Sequence, residues 1–200
     1  MKGVIEAVSA LLITGIMIGV VGTVYFWGLP LIQKNKDASV LAGTEDFMRE
    51  LNNRVKLVAN VGGREEVKFN LPGIISFDSS SIKVVLDTEG TIYAAEAPVP
   101  LSKNNPSAAA GTWGIDESEV ISVIAQQLTD KKYRETYSLR YIPLTVKSDT
   151  GGIKIYVIEP TGINSVGGQG SSVIISSAGT KENTVNNETI ISNMIEIVIS

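Results

Sequence analysis

The feature that most constrains this chain is the run from Ala7 to Ile32, in which no side chain is charged. Between Lys2 and Lys34 the only ionisable carboxylate or amine is Glu6. As a helix the run would rise about 39 Å at about 1.5 Å per residue, enough to cross a bilayer. An acidic group at mid-depth in a membrane costs on the order of 2.5–3.5 kcal/mol, and less near the end, so Glu6 is expected to have a partner or a job. A cleaved secretory signal has a shorter apolar core, roughly 7–15 residues, followed by a small-x-small site. The one such site here, Val40-Leu41-Ala42, lies well beyond an overlong core. The run therefore reads as a retained segment.

Its composition goes beyond that of a plain anchor. Gly15 and Gly19 form a GxxxG, Gly22 follows one turn on, and Ala10, Thr14 and Thr23 add further small side chains. Small residues let helix backbones approach closely, which favours association where no hydrophobic drive exists. At the outer end, Gly28-Leu29-Pro30 predicts a kink, because proline lacks the amide donor and clashes with the preceding turn. Tyr25, Phe26 and Trp27 precede it and Lys34 and Lys36 follow, which sets the outer interface near Trp27 to Gln33. Lys2 competes with Lys34 and Lys36, so positive charge alone hardly discriminates the orientation.

At 200 residues the chain has room for one membrane segment and one globular domain. The net charge of −4 gives no footprint for nucleic acid, and no basic cluster stands out beyond Lys131, Lys132 and Arg134. There is no cysteine and no histidine. Thiol catalysis, disulfides, Cys/His zinc sites and imidazole acid–base chemistry are thereby excluded. The domain must stand on its apolar core and its sheets.

From Asp37 to Val61 the pattern stays helical. Val40, Thr44, Phe47, Leu51, Val55 and Val58 share one face, and charged or polar residues occupy the rest. Gly62-Gly63 supplies the left-handed cap. Residues 34–62 are thus an amphipathic continuation of the helix, and 63–200 read as strands. Expected strands include Val67 to Leu71, Ile74 to Phe77, Ile82 to Leu86, Thr91 to Ala95, Tyr133 to Val146, Ile153 to Ile158, Val173 to Ser176 and Ile190 to Ile199. Glu119 to Leu128 fits a strand or a short helix. The fold class predicted is α+β: a long apolar helix, kinked near Pro30, on an antiparallel sandwich or barrel-like domain.

Gly162 to Gly170 lacks the lysine and hydroxyl of a phosphate loop and reads as a flexible turn. Asp116, Glu117 and Glu119 could offer calcium oxygens but lack the alternating ligand pattern, so a solvated loop is the better reading. Tyr133, Tyr137 and Tyr141 form a stripe that suits core packing better than a sugar or partner site. Asn187 opens the N-x-S/T sequon, in a polar turn from Lys181 to Glu188, and is a candidate glycosylation site if the domain is extracellular. No constellation suggests catalysis, and no cofactor or metal is expected.

With Lys2-Gly3 set directly before Val4-Ile5-Glu6 and the retained apolar helix, the sequence resembles the archaeal type IV pilin-like proteins that carry a class III signal peptide. The resemblance implies a leader of residues 1–3, cut between Gly3 and Val4 by a prepilin-type peptidase. Residues 4–33 would be first a transmembrane anchor and then the core of a filament built by the pilus assembly machinery. Glu6 would be the third mature residue, where the familiar bacterial pattern has glutamate fifth; its role in assembly, beside Gly15, Gly19 and Gly22, is implied by the family. The partners implied are further copies of the chain and the membrane, with the β domain outside the cell and adhesion or a related surface task as the function. A permanently anchored β-sandwich acting as an accessory or stator-like module is the alternative, and a membrane-tethered enzyme is a third class.

Overall fold

The computed structural model describes residues 2–78, 80–147, 152–185 and 188–200. Its first element is a single helix, α1 (Lys2–Val61), of 60 residues. At about 1.5 Å per residue it is about 90 Å long. It runs unbroken through Pro30. Loss of one amide donor there leaves the hydrogen-bond ladder intact on both sides, so the proline does not end the helix. Nor does burial begin at Pro30. The first buried residue is Asp37, about two turns later.

From Asp37 onward one face of α1 enters the core. Leu41, Thr44, Phe47, Met48, Leu51, Asn52, Val55 and Val58 are buried at three- and four-residue spacing, while Val40 is only half-buried. The helix stops where expected. The Gly62 amide donates to the Val58 carbonyl at 2.9 Å with φ of +80°, a conformation that costs a residue with a Cβ.

The strands form two six-stranded sheets. The first has the order β1 (Arg64–Lys68), β11 (Ser172–Val185), β12 (Glu188–Ile199), β9 (Ile153–Thr161), β8 (Leu144–Lys147), β5 (Gly111–Thr112). The second runs β10 (Ser165–Gly168), β2 (Ile74–Asp78), β3 (Ser81–Thr88), β7 (Lys132–Tyr141), β6 (Glu119–Thr129), β4 (Pro98–Pro100). Pairing is antiparallel except for β12 with β9 and β5 with β8. Inner residues of both sheets, among them Val67, Ile175 and Ile197 from one and Ile75, Val84 and Leu139 from the other, share a single core with α1. Phe47 of the helix meets Phe69 edge-on at 5.3 Å. The class is α+β, with the helix lying against sandwich-like sheets.

Several elements differ from the sequence reading for identifiable reasons. Glu119 to Leu128, which fitted a strand or a short helix, is a strand whose apolar start is buried on both faces. Arg140 beside Val120 binds the Pro106 and Ala108 carbonyls of a loop on the outer side, and such a strand loses its alternation. Thr91 to Ala95 is not a strand. Tyr93 turns inward instead, and only Ala95 bridges Ala125. The single strand expected from Tyr133 to Val146 is two, because Ile142-Pro143 carries the chain from one sheet to the other and Pro143 cannot donate to a ladder. The glycine-rich segment contains β10, an edge strand on β2. Gly162 opens it at φ of +132°, where a Cβ would lie 2.5 Å from the Ile197 carbonyl oxygen. Lys181 to Val185, read as a turn, extends β11 and stays paired with β12 as far as Val185 opposite Glu188, beyond a bulge at Gly179.

β7 also places a charge inside. Its inward side carries Tyr137 and Leu139, and the same alternation brings Glu135 to 0% exposure. Neither carboxylate oxygen has a hydrogen-bond partner among the described residues. Burial pushes this carboxyl above its ordinary value, and the nearby Thr91 hydroxyl offsets that only in part. The folded chain then holds the proton to higher pH than the unfolded chain does, so stability falls as pH rises above the usual glutamate range. Glu135→Gln is expected to raise stability by about 1–3 kcal/mol near pH 8 and by little near pH 4. Denaturant titrations at the two pH values measure the difference.

Candidate assembly and membrane-spanning helix

The first half of α1 carries the residues singled out in the sequence. It is long and apolar enough to cross a membrane, and none of its apolar stretch is buried. From Val8 to Ile32 nothing of its own chain buries it. Phe26 and Trp27 are 85% and 81% exposed, and Leu11, Ile18 and Val21 are similarly bare. At about 25 cal/mol per Å², so much apolar surface is costly in water. A lipid environment or other helices must cover it.

The polar groups inside this half are already satisfied. Thr14 Oγ1 donates to the Ala10 carbonyl and Thr23 Oγ1 to the Gly19 carbonyl, both at 2.8 Å. Neither hydroxyl therefore needs water, as a hydrocarbon or helix-packed setting requires. Gly15, Gly19 and Gly22 form one open stripe. Among the described residues, nothing lies within 4 Å of the place a Cβ would take at any of them. Their spacing runs on through Phe26 and Gln33 to Asp37, so on an ideal helix the glycine stripe and the domain-facing row fall within about 40° of each other.

Lys2, Gly3 and Val4 lie in the first turn of α1. Gly3 is exposed, whereas the side chains of Lys2, Val4 and Glu6 lie outside the described residues. Asn187 also lies outside them, between the ends of β11 and β12. Of the acidic candidates, Asp116 stands apart while Glu117 and Glu119 share a hydrogen bond; burial and that bond push the Glu119 carboxyl up, and the same bond pulls the Glu117 carboxyl down. Asp116 Oδ2 accepts from the Thr112 amide at 2.7 Å, Glu117 pairs with Lys103 at 3.3 Å, and buried Glu119 pairs with Lys56 of α1 at 3.2 Å. Among the described residues no group of three or more acidic side chains is placed to hold a metal ion. Tyr137 is wholly buried, as core packing predicts, while Tyr133 and Tyr141 are half-buried.

Polar contacts that the sequence did not foretell hold α1 to the β domain. Asp37 Oδ1 accepts from Gln33 Nε2, and its Oδ2 accepts from the Glu89 amide, both at 3.0 Å. One turn on, Tyr137 donates its hydroxyl to the Leu41 carbonyl at 3.2 Å. Tyr93 Oη lies 2.6 Å from Glu45 Oε1 and 2.9 Å from Tyr137 Oη. Burial pushes the Tyr93 and Tyr137 hydroxyls far above their ordinary values, so they stay protonated hydrogen-bond donors across the physiological range. The tyrosine stripe pointed to Tyr137 as a core residue, but nothing local marks the contacts of Asp37 or Tyr93.

No protein-family model matches this chain, and neither a curated protein nor a solved structure does. The geometry itself supports one conclusion about α1: its first half is built for an apolar environment that its own domain does not supply. Gly15→Leu and Gly19→Leu, singly or together, are expected to change domain stability by less than about 0.5 kcal/mol. Denaturation of the full chain in detergent, followed by the loss of β signal, measures this.

Proposed function

We propose that this protein is a structural subunit of an archaeal type IV pilus-like surface filament, serving adhesion or a related surface task. The observation that carries the reading is that one unbroken helix does two jobs. Its second half is the core of a β domain, while its first half is bare apolar surface preceded by Lys2-Gly3.

In this reading α1 first spans the membrane, with the β domain outside. A prepilin-type peptidase hydrolyses the Gly3–Val4 bond and frees an amino terminus next to the apolar segment. Assembly then exchanges lipid for other copies of α1. Lipid tails are as apolar as leucine, so the exchange gains little from burial; close approach along Gly15, Gly19 and Gly22 supplies the packing instead. Glu6 would be costly in a filament core unless paired, and the new amino-terminal charge of a neighbouring copy is the partner that suits it. The sequon at Asn187 would then face the outside, where glycosylation occurs.

Sequencing of the mature amino terminus tests the first step. A chain beginning at Val4 is expected, and Gly3→Leu is expected to abolish the cut. A mature chain that still begins at Met1 would count heavily against the proposal. Electron microscopy of sheared surface material, with mass spectrometry of that fraction, tests the second. Membrane-bound protein with no filament would favour the permanently anchored module instead. Glu6→Ala is expected to lower filament yield severely while leaving the membrane-bound pool intact. An unchanged yield removes Glu6 from the assembly step.

A further inference from the structure

The apolar run of α1 ends at Ile32, and the β domain first buries the helix at Asp37. That interval is only about 7.5 Å of helix at about 1.5 Å per residue. One headgroup layer of a bilayer is about 5–7 Å thick, given a hydrocarbon core of about 30 Å within a total of about 40–45 Å. A domain seated so close to the end of a spanning segment has its near face against the headgroups.

The structure identifies that face. A cleft of about 590 Å³ has Leu29, Pro30 and Lys34 of α1 on one side and Glu89, Ile92 and Lys131 of the β domain on the other. The loop after β3 and the turn between β6 and β7 therefore stand beside the outer end of the apolar run. Ile92 is 59% exposed, and its loop is held in place on both sides of it: the Glu89 amide is bound by Asp37, and Tyr93 is bound by Glu45 and Tyr137. Lys34 and Lys131 line the cleft, and their chain neighbours Lys36 and Lys132 are exposed. Of the acidic groups nearby, Asp87 pairs with Arg134 at 2.9 Å, and Asp37 is buried with its oxygens bonded to Gln33 and the Glu89 amide. Glu89, Asp130 and Glu96, which accepts from the Gln127 amide, are exposed. Four lysines and four carboxylates leave the face near neutral on a chain whose net charge is −4.

We propose that this face is a membrane-surface contact, in which Ile92 enters the apolar boundary and Lys34, Lys131 and Lys132 bind the phosphate groups of anionic lipid. Continuity with the apolar run selects a lipid surface as the occupant, and the exposed lysines are the groups that can reach its phosphates. The contact holds the domain upright on the membrane and must be given up when a subunit leaves it. The proposal rests on α1 being a membrane anchor, and the test separates the two.

Because the chain has no cysteine, single labels can be placed cleanly. Ile92→Cys, Val21→Cys and Asn183→Cys, each in the full chain, carry an environment-sensitive fluorophore in vesicles containing phosphatidylglycerol. Quenching is read with aqueous iodide and with a lipid-borne quencher. Val21 and Ile92 are expected to be quenched from the lipid and protected from iodide, with Asn183 quenched by iodide alone. Adding Lys131→Glu and Lys132→Glu is expected to return Ile92 to iodide. A label at Ile92 as open to iodide as that at Asn183, with Val21 still quenched from the lipid, overturns the contact alone. Iodide quenching at Val21 overturns the anchor reading itself. Protection of Ile92 that survives the double charge reversal overturns the role given to the lysines.

Discussion

The fold depends on the burial of one face of α1, from Asp37 to Val58, between inner faces of the two sheets. Leu41, Met48, Leu51 and Val55 have no solvent exposure, and each contributes to a core shared with both sheets. Removing a buried leucine side chain costs about 2–5 kcal/mol, a large part of the marginal stability of a domain. A chain without disulfides has no covalent substitute for that core. The helix is accordingly a part of the domain and not a tether to it.

Polar contacts then fix where along α1 the domain begins. Apolar side chains pack without strong directional preference, so they leave the axial position of a helix weakly specified. Hydrogen bonds from Tyr137 to the Leu41 carbonyl and from the Glu89 amide to Asp37 supply the direction. A one-residue slip would leave these buried groups unmatched, at about 1–3 kcal/mol for each orphaned partner. The same end of the interface holds the uncompensated Glu135. Part of the stability won by the core is spent there.

Much of this organisation is legible in the sequence. The apolar run, its small residues, the amphipathic continuation with its glycine cap and most of the strands follow from periodicity and turn chemistry alone. The failures have a common cause: they lie where tertiary structure overrides a local pattern. Pro143 signalled a break, yet alternation on either side of it suggested one strand. Lys181 to Thr184 are polar because β11 is an exposed edge there, and that polarity suggested a turn too early. Tyr93 and Asp37 act through partners about fifty residues away, which no local window contains. For the first half of α1 the sequence was informative because its constraint is compositional: every side chain must suit an apolar surround, and composition is visible without the fold.

The continuity of α1 through Pro30 has a geometric consequence. With no loop between the bare half and the domain half, the azimuth of the β domain about the helix axis is locked in phase with that of the glycine stripe. Each residue of helix turns by about 100° and rises about 1.5 Å. One residue inserted between Ile32 and Asp37 would leave the composition of both halves almost unchanged, yet would swing the domain by more than a quarter turn relative to Gly15, Gly19 and Gly22. The length of that short polar stretch is therefore a setting of orientation as much as of distance.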